Sequence, residues 1–313
     1  MVTRKALDGQ AMGLMVFVCL CLGMQQVALK AAAADVAPVL QISLRSGIAA
    51  LLVLAYLVWA KRLPTAASGN WRPGLLAGAL FGFEYLLLGE SLRFTSASHA
   101  AVLLYTGPVF AALGLHLLLP EERMSRLQWA GISLAFAGIV LTFTGRDGGQ
   151  TAAGSQPLLG DLLALASGLA WGLSTVVVRA SRLARAPAQE GLFYQLLVAF
   201  VLLGVWSLLS GQTALHATPV ALVSLGFQAL VISFVALMTW FWLLRNYLAS
   251  QLGALSFLTP VVGVVLGAWW LNEPLELSFM AGAVLVLVGI LLVSGHTWLT
   301  QQWQSLTVRR QAG

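Results

Sequence analysis

Apolar runs of about 20 residues recur along the whole sequence and restrict the folds that the chain can adopt. Each run is long enough to cross a hydrocarbon core of about 30 Å as an α-helix. In lipid only helices and closed barrels satisfy their backbone polar groups internally, and these runs are too long and continuous for barrel strands. The sequence therefore predicts an all-α polytopic membrane protein. A composition of 59% hydrophobic and 9% charged residues, with a mean hydropathy of +0.88, agrees with this class.

Ten of these runs are predicted to be transmembrane helices. They cover residues 11–29, 38–60, 73–92, 97–119, 127–144, 158–178, 190–210, 219–243, 250–271 and 278–296. The first run resembles the core of a signal peptide. Nine further runs follow it and no convincing small-residue cleavage site is present, so it is interpreted as a retained helix.

Basic residues are distributed unevenly between the predicted loops. With ten spans, one face holds both termini and thirteen Lys or Arg residues, whereas the other face holds Lys30, Arg93 and Arg146. The positive-inside rule then places both termini in the cytoplasm. This distribution accounts for the net charge of +6 without a nucleic-acid partner. Cys19 and Cys21 are interpreted as packing residues, and neither a metal nor a cofactor is predicted.

Two distant segments of the sequence follow the same pattern. Residues 92–110 are LRFTSASHAAVLLYTGPVF and residues 244–262 are LRNYLASQLGALSFLTPVV. A Leu-Arg pair, an Ala-Ser pair and a proline stand at the same spacing in both. The similarity extends on either side and indicates two copies of one unit.

Each copy contains five predicted spans. The predicted domains are a first copy, a linker, a second copy and a cytoplasmic tail, at residues 11–145, 146–157, 158–296 and 297–313. Because five is odd, the second copy enters the membrane from the opposite face, which gives an inverted repeat. Inverted repeats are typical of secondary transporters, whose halves open a site near the midplane to either side in turn.

The chain resembles the drug/metabolite transporter superfamily, and within it the EamA-type members with ten helices in two repeats. The resemblance is carried by LRFTSASHAAVLLYTGPVFAAL and EERMSRLQWAGISLAFAGIVL in the first copy, and by their partners between residues 244 and 290. It implies a transporter rather than an enzyme, located in a bacterial inner membrane, with a small-molecule substrate and no cofactor. The branch that the chain most resembles exports amino acids, aromatic ones included.

Two other functions are open on the sequence. Efflux of multiple drugs or quaternary cations by the same superfamily is the main alternative. A polytopic membrane enzyme is a remote one, because the four aspartates, Asp8, Asp35, Asp147 and Asp161, lie at span ends or in loops. A two-repeat chain can close its own pathway, so a monomer is expected, with a dimer as the alternative.

Six residues are candidates for contact with substrate. They are Glu84, Tyr85, His99, Tyr105, Trp171 and Trp240. An ionisable group at the bilayer centre costs about 2.5–3.5 kcal/mol, so Glu84 is expected either to accept a substrate ammonium or a proton, or to hold helices together as a protonated or Arg45-paired carboxyl. His99 would titrate near neutral pH, or serve as a structural hydrogen-bonding residue. The deep aromatic residues would line a chamber or pack helices.

Five further residues are assigned to gating or structure. Arg45 is expected to pair with an acid of the third span, for which Glu90 is one candidate, or to bind a substrate carboxylate. Glu90 and Arg93 are expected to form a rim ion pair. Pro108 and Pro260 each predict a mid-helix kink, as hinges or as static bends. Glycines at residues 74, 78 and 82 predict close packing along one face of the third span.

Overall fold

The computed structural model describes residues 8–63, 69–118, 124–144, 156–247, 252, 255–256 and 258–292. Within these ranges the regular secondary structure is helical, and an isolated antiparallel bridge joins Val36 to Leu215. The predicted all-α fold is confirmed for this part of the chain.

The described helices follow the predicted runs in order. Those of the first copy are α1 Gly9–Ala31, α2 Pro38–Trp59, α3 Trp71–Ser91, α4 Ala97–Leu104, α5 Gly107–Leu118 and α6 Arg126–Thr144. Those of the second are α7 Pro157–Ala180, α8 Ala188–Leu209, α9 Pro219–Gly226, α10 Leu237–Asn246, α11 Leu258–Trp270 and α12 Leu277–Leu292. A 3-10 turn, Arg182–Arg185, follows α7, and a π-helical segment, Phe227–Ala236, joins α9 to α10.

Polar side chains fix the beginnings of several helices. Asp8 accepts a hydrogen bond from the amide of Ala11 at 2.8 Å and so caps α1. Ser96 and Thr218 cap α4 and α9 in the same manner. Such caps satisfy amides that have no partner inside the helix, which is why these helices begin where they do.

Six helical stretches are long and apolar enough to cross a membrane. They are Gly9–Ala31, Pro38–Trp59, Ala97–Leu118, Pro157–Ala180, Ala188–Leu209 and Pro219–Trp240. Arg126–Thr142, Leu258–Trp270 and Leu277–Leu292 are shorter apolar helices, and α3 has 21 residues but carries two glutamates. The structure therefore confirms a polytopic helical protein, while the count of ten spans stays a prediction.

The predicted fourth span, residues 97–119, is divided into two helices. Tyr105 and Thr106 form the turn between α4 and α5. Pro108 has no amide hydrogen to donate to the carbonyl of Leu104, so a continuous helix would lose a bond at this point. The proline in the sequence indicated where the helix is interrupted. A bend was predicted at this position, whereas the structure has a break between two helices.

Both prolines lie in the first turn of a helix. Pro108 lies at the start of α5 and Pro260 at the start of α11. A first-turn amide has no intrahelical partner, so proline is accommodated there without loss. The prediction of mid-helix kinks at these prolines is therefore wrong.

Helices of the two copies pack against each other in reciprocal pairs. The first helix of the first copy, α1, packs on α11, and the corresponding α7 packs on α4 and α5. Similarly, α3 packs on α7 while the π-helical segment and α10 pack on α1. The corresponding helices α2 and α8 contact each other. This reciprocity is what a two-fold relation between the copies produces.

The glycine face of α3 packs on α8 as expected. A Cβ atom on Gly78 would lie 2.8 Å from the carbonyl oxygen of Tyr194 and 2.9 Å from Cβ of Val198. One on Gly82 would lie 3.3 Å from Cα of Ala199. The absence of side chains lets the two backbones approach, so the predicted close packing is confirmed.

Candidate functional site

A group of polar and aromatic side chains is enclosed by helices of both copies. We call Arg45, Glu84, Tyr85, Tyr105 and Trp171 the central cluster. They come from α2, α3, the turn between α4 and α5, and α7. Of the six residues predicted to contact substrate, the structure brings four together here.

Glu84 is buried in the central cluster with an unsatisfied oxygen. Glu84 is 4% exposed, and the Oε2 atom of its carboxyl group has no hydrogen-bond partner in the described chain. Ser167 of α7 donates to the backbone carbonyl of Glu84 at 2.8 Å, which fixes α3 against α7 at this level. The backbone of Glu84 is thus fixed in position, and Oε2 of its side chain is left to accept a hydrogen bond from a ligand.

Arg45, at 2% exposure, is the largest fully buried side chain of the described residues, and it interacts with Tyr85 while two of its nitrogen atoms lack partners. Its Nε and Nη1 atoms have no hydrogen bond within the described residues. Its guanidinium carbon lies 4.6 Å from the centre of the Tyr85 ring, a cation–π distance. Arg45 acts electrostatically on Glu84, but no ion pair within 4.0 Å joins the two described side chains.

The suggested pairing of Arg45 with Glu90 is wrong. Glu90 bonds to three other groups: Arg93 at 2.6 Å, the indole nitrogen of Trp206 at 3.0 Å and the amide of Gln212 at 2.6 Å. These partners lie at the end of α3, where the side chain of Arg93 is 47% exposed. The predicted Glu90–Arg93 ion pair is therefore present at the rim, and Glu90 does not pair with Arg45.

Aromatic rings form a second wall of the central cluster. Tyr105 and Trp171 meet edge to face, with ring centres 5.2 Å apart. The Trp171 ring also packs against Gly107, directly after the turn that carries Tyr105. The hydroxyl of Tyr105 lies close to Thr259 of α11, so both copies contribute to this wall.

The other two predicted substrate contacts lie elsewhere. Trp240 packs beside an apolar group that includes Met15, Leu243 and Tyr247. His99 lies at the beginning of α4, where its Nδ1 atom is 3.1 Å from Oδ2 of Asp161.

Two polar residues that contact predicted site residues, Asp161 and Gln25, were missed on the sequence. Asp161 was set aside as a helix-end residue, yet it is 0% exposed and accepts a hydrogen bond from Thr95 at 2.5 Å. Gln25 lies close to the Tyr85 hydroxyl. The sequence did contain an indication that Asp161 is buried, because this aspartate lies four residues after Pro157, inside an apolar run and beyond the start of the helix.

The cluster is suited to binding rather than covalent chemistry. A guanidinium and a carboxyl group, each with at least one unsatisfied atom in the described chain, lie close to aromatic rings. In the described residues no group of three or more His, Cys, Asp or Glu side chains is arranged to hold a metal ion. The cluster presents one cationic donor and one acidic acceptor to a ligand.

Comparison with known proteins gives the same class. The sequence profile of the EamA-like transporter family matches residues 10–144 and again 158–295. A protein of Escherichia coli K12 described as the uncharacterized inner membrane transporter YedA is 28% identical, over 82% of each chain. The uncharacterized transporter YvbV of Bacillus subtilis is also 28% identical, over 93% of this chain and 92% of its own.

A solved crystal structure shares the fold. It covers 95% of this chain and 99% of its own with a TM-score of 0.64 and 21% sequence identity. The two profile matches include nearly all of the described helices, one match for each copy. The chain therefore belongs to the EamA-like transporter family, with two EamA repeats along its length.

Proposed function

We propose that this membrane transporter exports amino acids, aromatic ones in particular, from the cytoplasm across a bacterial inner membrane. Its two repeats would form an inverted pair of five spans each, with both termini in the cytoplasm, and would expose the central cluster to either side in turn. The family, the inner-membrane description of YedA and the reciprocal helix packing support the proposal. Monomeric function is proposed with it, since a two-fold pair encloses its own passage.

The observation that carries the proposal is that Arg45 and Glu84, of opposite charge, are both buried with polar atoms that lack partners. A buried polar atom without a hydrogen bond costs about 1–3 kcal/mol, and Nε and Nη1 of Arg45 and Oε2 of Glu84 have no partner among the described residues. A zwitterion satisfies both: its carboxylate accepts from the guanidinium and its ammonium donates to Glu84. The pair of charges thus matches the two charged ends of an amino acid.

Specificity for an aromatic side chain rests on the second wall of the cluster. Tyr105 and Trp171 meet edge to face, and the aromatic ring of a substrate can pack against them in the same way. Gly107 lets the Trp171 ring pack directly on the backbone, which fixes the position of the ring. We therefore propose that the substrate ring lies against these two residues.

Efflux of quaternary cations is the second candidate, because an acidic residue among aromatic rings also suits a lipophilic cation. Arg45 argues against it. A cationic substrate would lie near the Arg45 guanidinium and be repelled, whereas the carboxylate of a zwitterion would be attracted to it.

Proteoliposomes distinguish the two candidates. Vesicles containing the purified protein are loaded with radiolabelled phenylalanine, leucine or lysine, or with a cationic dye, and release is followed against protein-free vesicles. We expect release of the aromatic and aliphatic amino acids and retention of the dye. Dye release without amino-acid release would reverse the assignment.

A further inference from the structure

A glutamine of the second copy lies inside the helix bundle with an oxygen atom that has no partner. Gln228 is the second residue of the π-helical segment Phe227–Ala236 and is 0% exposed. Its Oε1 atom has no hydrogen-bond donor among the described residues. An unpaired acceptor in a protein interior is destabilising, so it indicates a ligand or a water molecule that donates to it. π-Helical turns are rare and are frequent at functional sites.

The orientation of the Gln228 amide group follows from its neighbours. The Nε2 atom of Gln41 donates to the carbonyl oxygens of Leu29 and Val36, at 3.1 and 2.7 Å, and carbonyl oxygens can only accept. The Oε1 atom of Gln41 is therefore the acceptor for Nε2 of Gln228, at 3.1 Å. Nε2 of Gln228 also donates to the hydroxyl of Ser224 at 2.9 Å. Exchanging the oxygen and nitrogen of Gln228 would bring two acceptors together, so Oε1 is the atom left without a partner.

Contacts with α1 locate Gln228 along the bundle. Ser224 donates to the carbonyl oxygen of Ala28 at 2.9 Å, and Ile232 belongs to the same buried apolar cluster as Cys21. The residue number rises along the second copy while it falls along α1, so the two helical stretches are antiparallel. Gln228 lies midway between these two contacts.

The same level of the bundle holds residues of the central cluster. Gln25 of α1 lies between the two contacts, close to the Tyr85 hydroxyl, and the Tyr85 ring is 4.6 Å from the guanidinium carbon of Arg45. On α2, Gln41 precedes Arg45 by four residues, so the two lie one turn apart on the same face. Gln228, which is bonded to Gln41, therefore borders the central cluster from the second copy.

The atoms without partners at this level specify the chemistry of a ligand. Arg45 offers hydrogen-bond donors, whereas Glu84 and Gln228 each offer an acceptor oxygen. A primary ammonium has three N–H donors and can donate to a carboxyl oxygen and an amide oxygen at the same time, whereas a quaternary ammonium has no donor. Because Gln228 carries no charge, it responds to the number of N–H donors and not to the charge of the nitrogen.

We propose that Gln228 is a further substrate-binding residue, which accepts a hydrogen bond from the ammonium group of the amino acid and makes the site selective for a primary amine. Arg45 and Glu84 of the first copy recognise the two charges of the substrate. Gln228 of the second copy recognises an additional N–H of its nitrogen. The proposal rests on the amino-acid export proposed above.

Methylation of the substrate nitrogen tests the role of Gln228. Initial rates of release from proteoliposomes are measured over a series of internal concentrations of phenylalanine, with three N–H donors, and of N,N-dimethylphenylalanine, with one. In the unmodified chain we expect the half-saturation concentration to be roughly 10-fold or more higher for the dimethyl compound. Gln228→Met keeps the length of the side chain but removes the acceptor. It should raise the value for phenylalanine roughly 10-fold or more and leave that for the dimethyl compound within about twofold.

Ser224→Ala is the control for loosening of the hydrogen-bond network. It removes one partner of the Gln228 amide group and leaves Oε1 in place, so the ratio of the two half-saturation concentrations should equal that of the unmodified chain. Thermal unfolding in detergent verifies that each variant is folded.

Two results would overturn the role of Gln228 while amino-acid export stands. One is equal half-saturation concentrations for the two compounds in the unmodified chain, a comparison that needs no variant. The other is an unchanged ratio in Gln228→Met, which would assign a buried water molecule to Oε1. Failure of the unmodified chain to release phenylalanine would instead reject the proposed function, and the role of Gln228 with it.

Discussion

Arg45 and Glu84 lie inside the helix bundle with polar atoms that no described side chain satisfies. Each unsatisfied buried atom lowers the free energy of unfolding, and the cation–π contact of Arg45 with Tyr85 offsets only part of this. A bound zwitterion would give these atoms hydrogen-bond partners. Stability and transport are therefore expected to respond in opposite directions when both charges are removed together.

Replacing both charges by apolar side chains tests this opposition. The double variant Arg45→Met, Glu84→Met removes the two buried charges together and keeps two long side chains, so we expect the free energy of unfolding to rise by about 1–4 kcal/mol while amino-acid release is abolished. Thermal unfolding in detergent and proteoliposome release are measured on the same preparation. The double variant Arg72→Met, Glu276→Met changes two exposed residues, is the matched control and should change neither quantity. A less stable Arg45→Met, Glu84→Met protein would show that the two residues are structural.

Replacing Glu84 by glutamine tests the acidic half of the site. We expect the Glu84→Gln protein to stay folded in detergent and its half-saturation concentration to rise roughly 10-fold or more, because a hydrogen bond to a charged group contributes about 1.5–3 kcal/mol. Transport is measured across a pH series. Glu276→Gln removes an exposed glutamate and should transport normally. Unchanged transport by Glu84→Gln at every pH would assign Glu84 to the scaffold.

At the scale of elements, the chain is held together by helix faces without side chains. The α3 face that includes Gly78 lies against α8 at distances that leave no room for a methyl group. Lipid tails are as apolar as the helices, so close backbone packing has to supply the association energy.

Adding one methyl group to this face should loosen α3 from α8. We expect Gly78→Ala to lower the free energy of unfolding by about 1–3 kcal/mol, because the new Cβ meets a carbonyl oxygen and Val198 at under 3 Å. The measurement is thermal unfolding in detergent. Gly191→Ala is the control, since a Cβ there meets nothing within 4 Å, and it should unfold at the same temperature or slightly higher. Equal losses in both variants would contradict the packing argument.

The sequence predicted the positions of the helices better than the places where they are interrupted. Hydropathy located helices in the right places, because the apolar length of a span follows from the thickness of lipid. It did not predict the break at Tyr105 or the π-helical segment Phe227–Ala236. Both depend on what packs beside them, as Trp171 packs beside Gly107, and that information is not local.

At the scale of the whole molecule, the doubled pattern predicted the two repeats, which the two profile matches confirm. Which side chains meet between the copies could not be predicted, since the rotation of each helix about its axis is set by its neighbours. His99 and Asp161 are 62 residues apart in the chain and belong to different copies, so their pairing follows from the packing of α4 on α7.

The inverted arrangement predicts where each connection emerges. Reporters fused at either terminus should both be cytoplasmic, whereas reporters inserted at Ala34, between α1 and α2, or at Gly211, between α8 and α9, should both be external. A phosphatase active only outside the cytoplasm and a fluorescent protein active only inside it are compared at all four positions. Termini on different faces, or an external signal at only one of the two insertions, would exclude two units of five spans.

The central cluster departs from the two-fold relation that its surrounding helices obey. Arg45 and Glu84 both belong to the first copy, and the second copy has no Asp, Glu, Lys or Arg between Glu190 and Arg245 that could mirror them. A solute with two charged ends then has a single orientation and a single binding position in each polypeptide. We expect a stoichiometry of one bound molecule per chain and hyperbolic saturation with a Hill coefficient of about one, although the backbone around it is doubled.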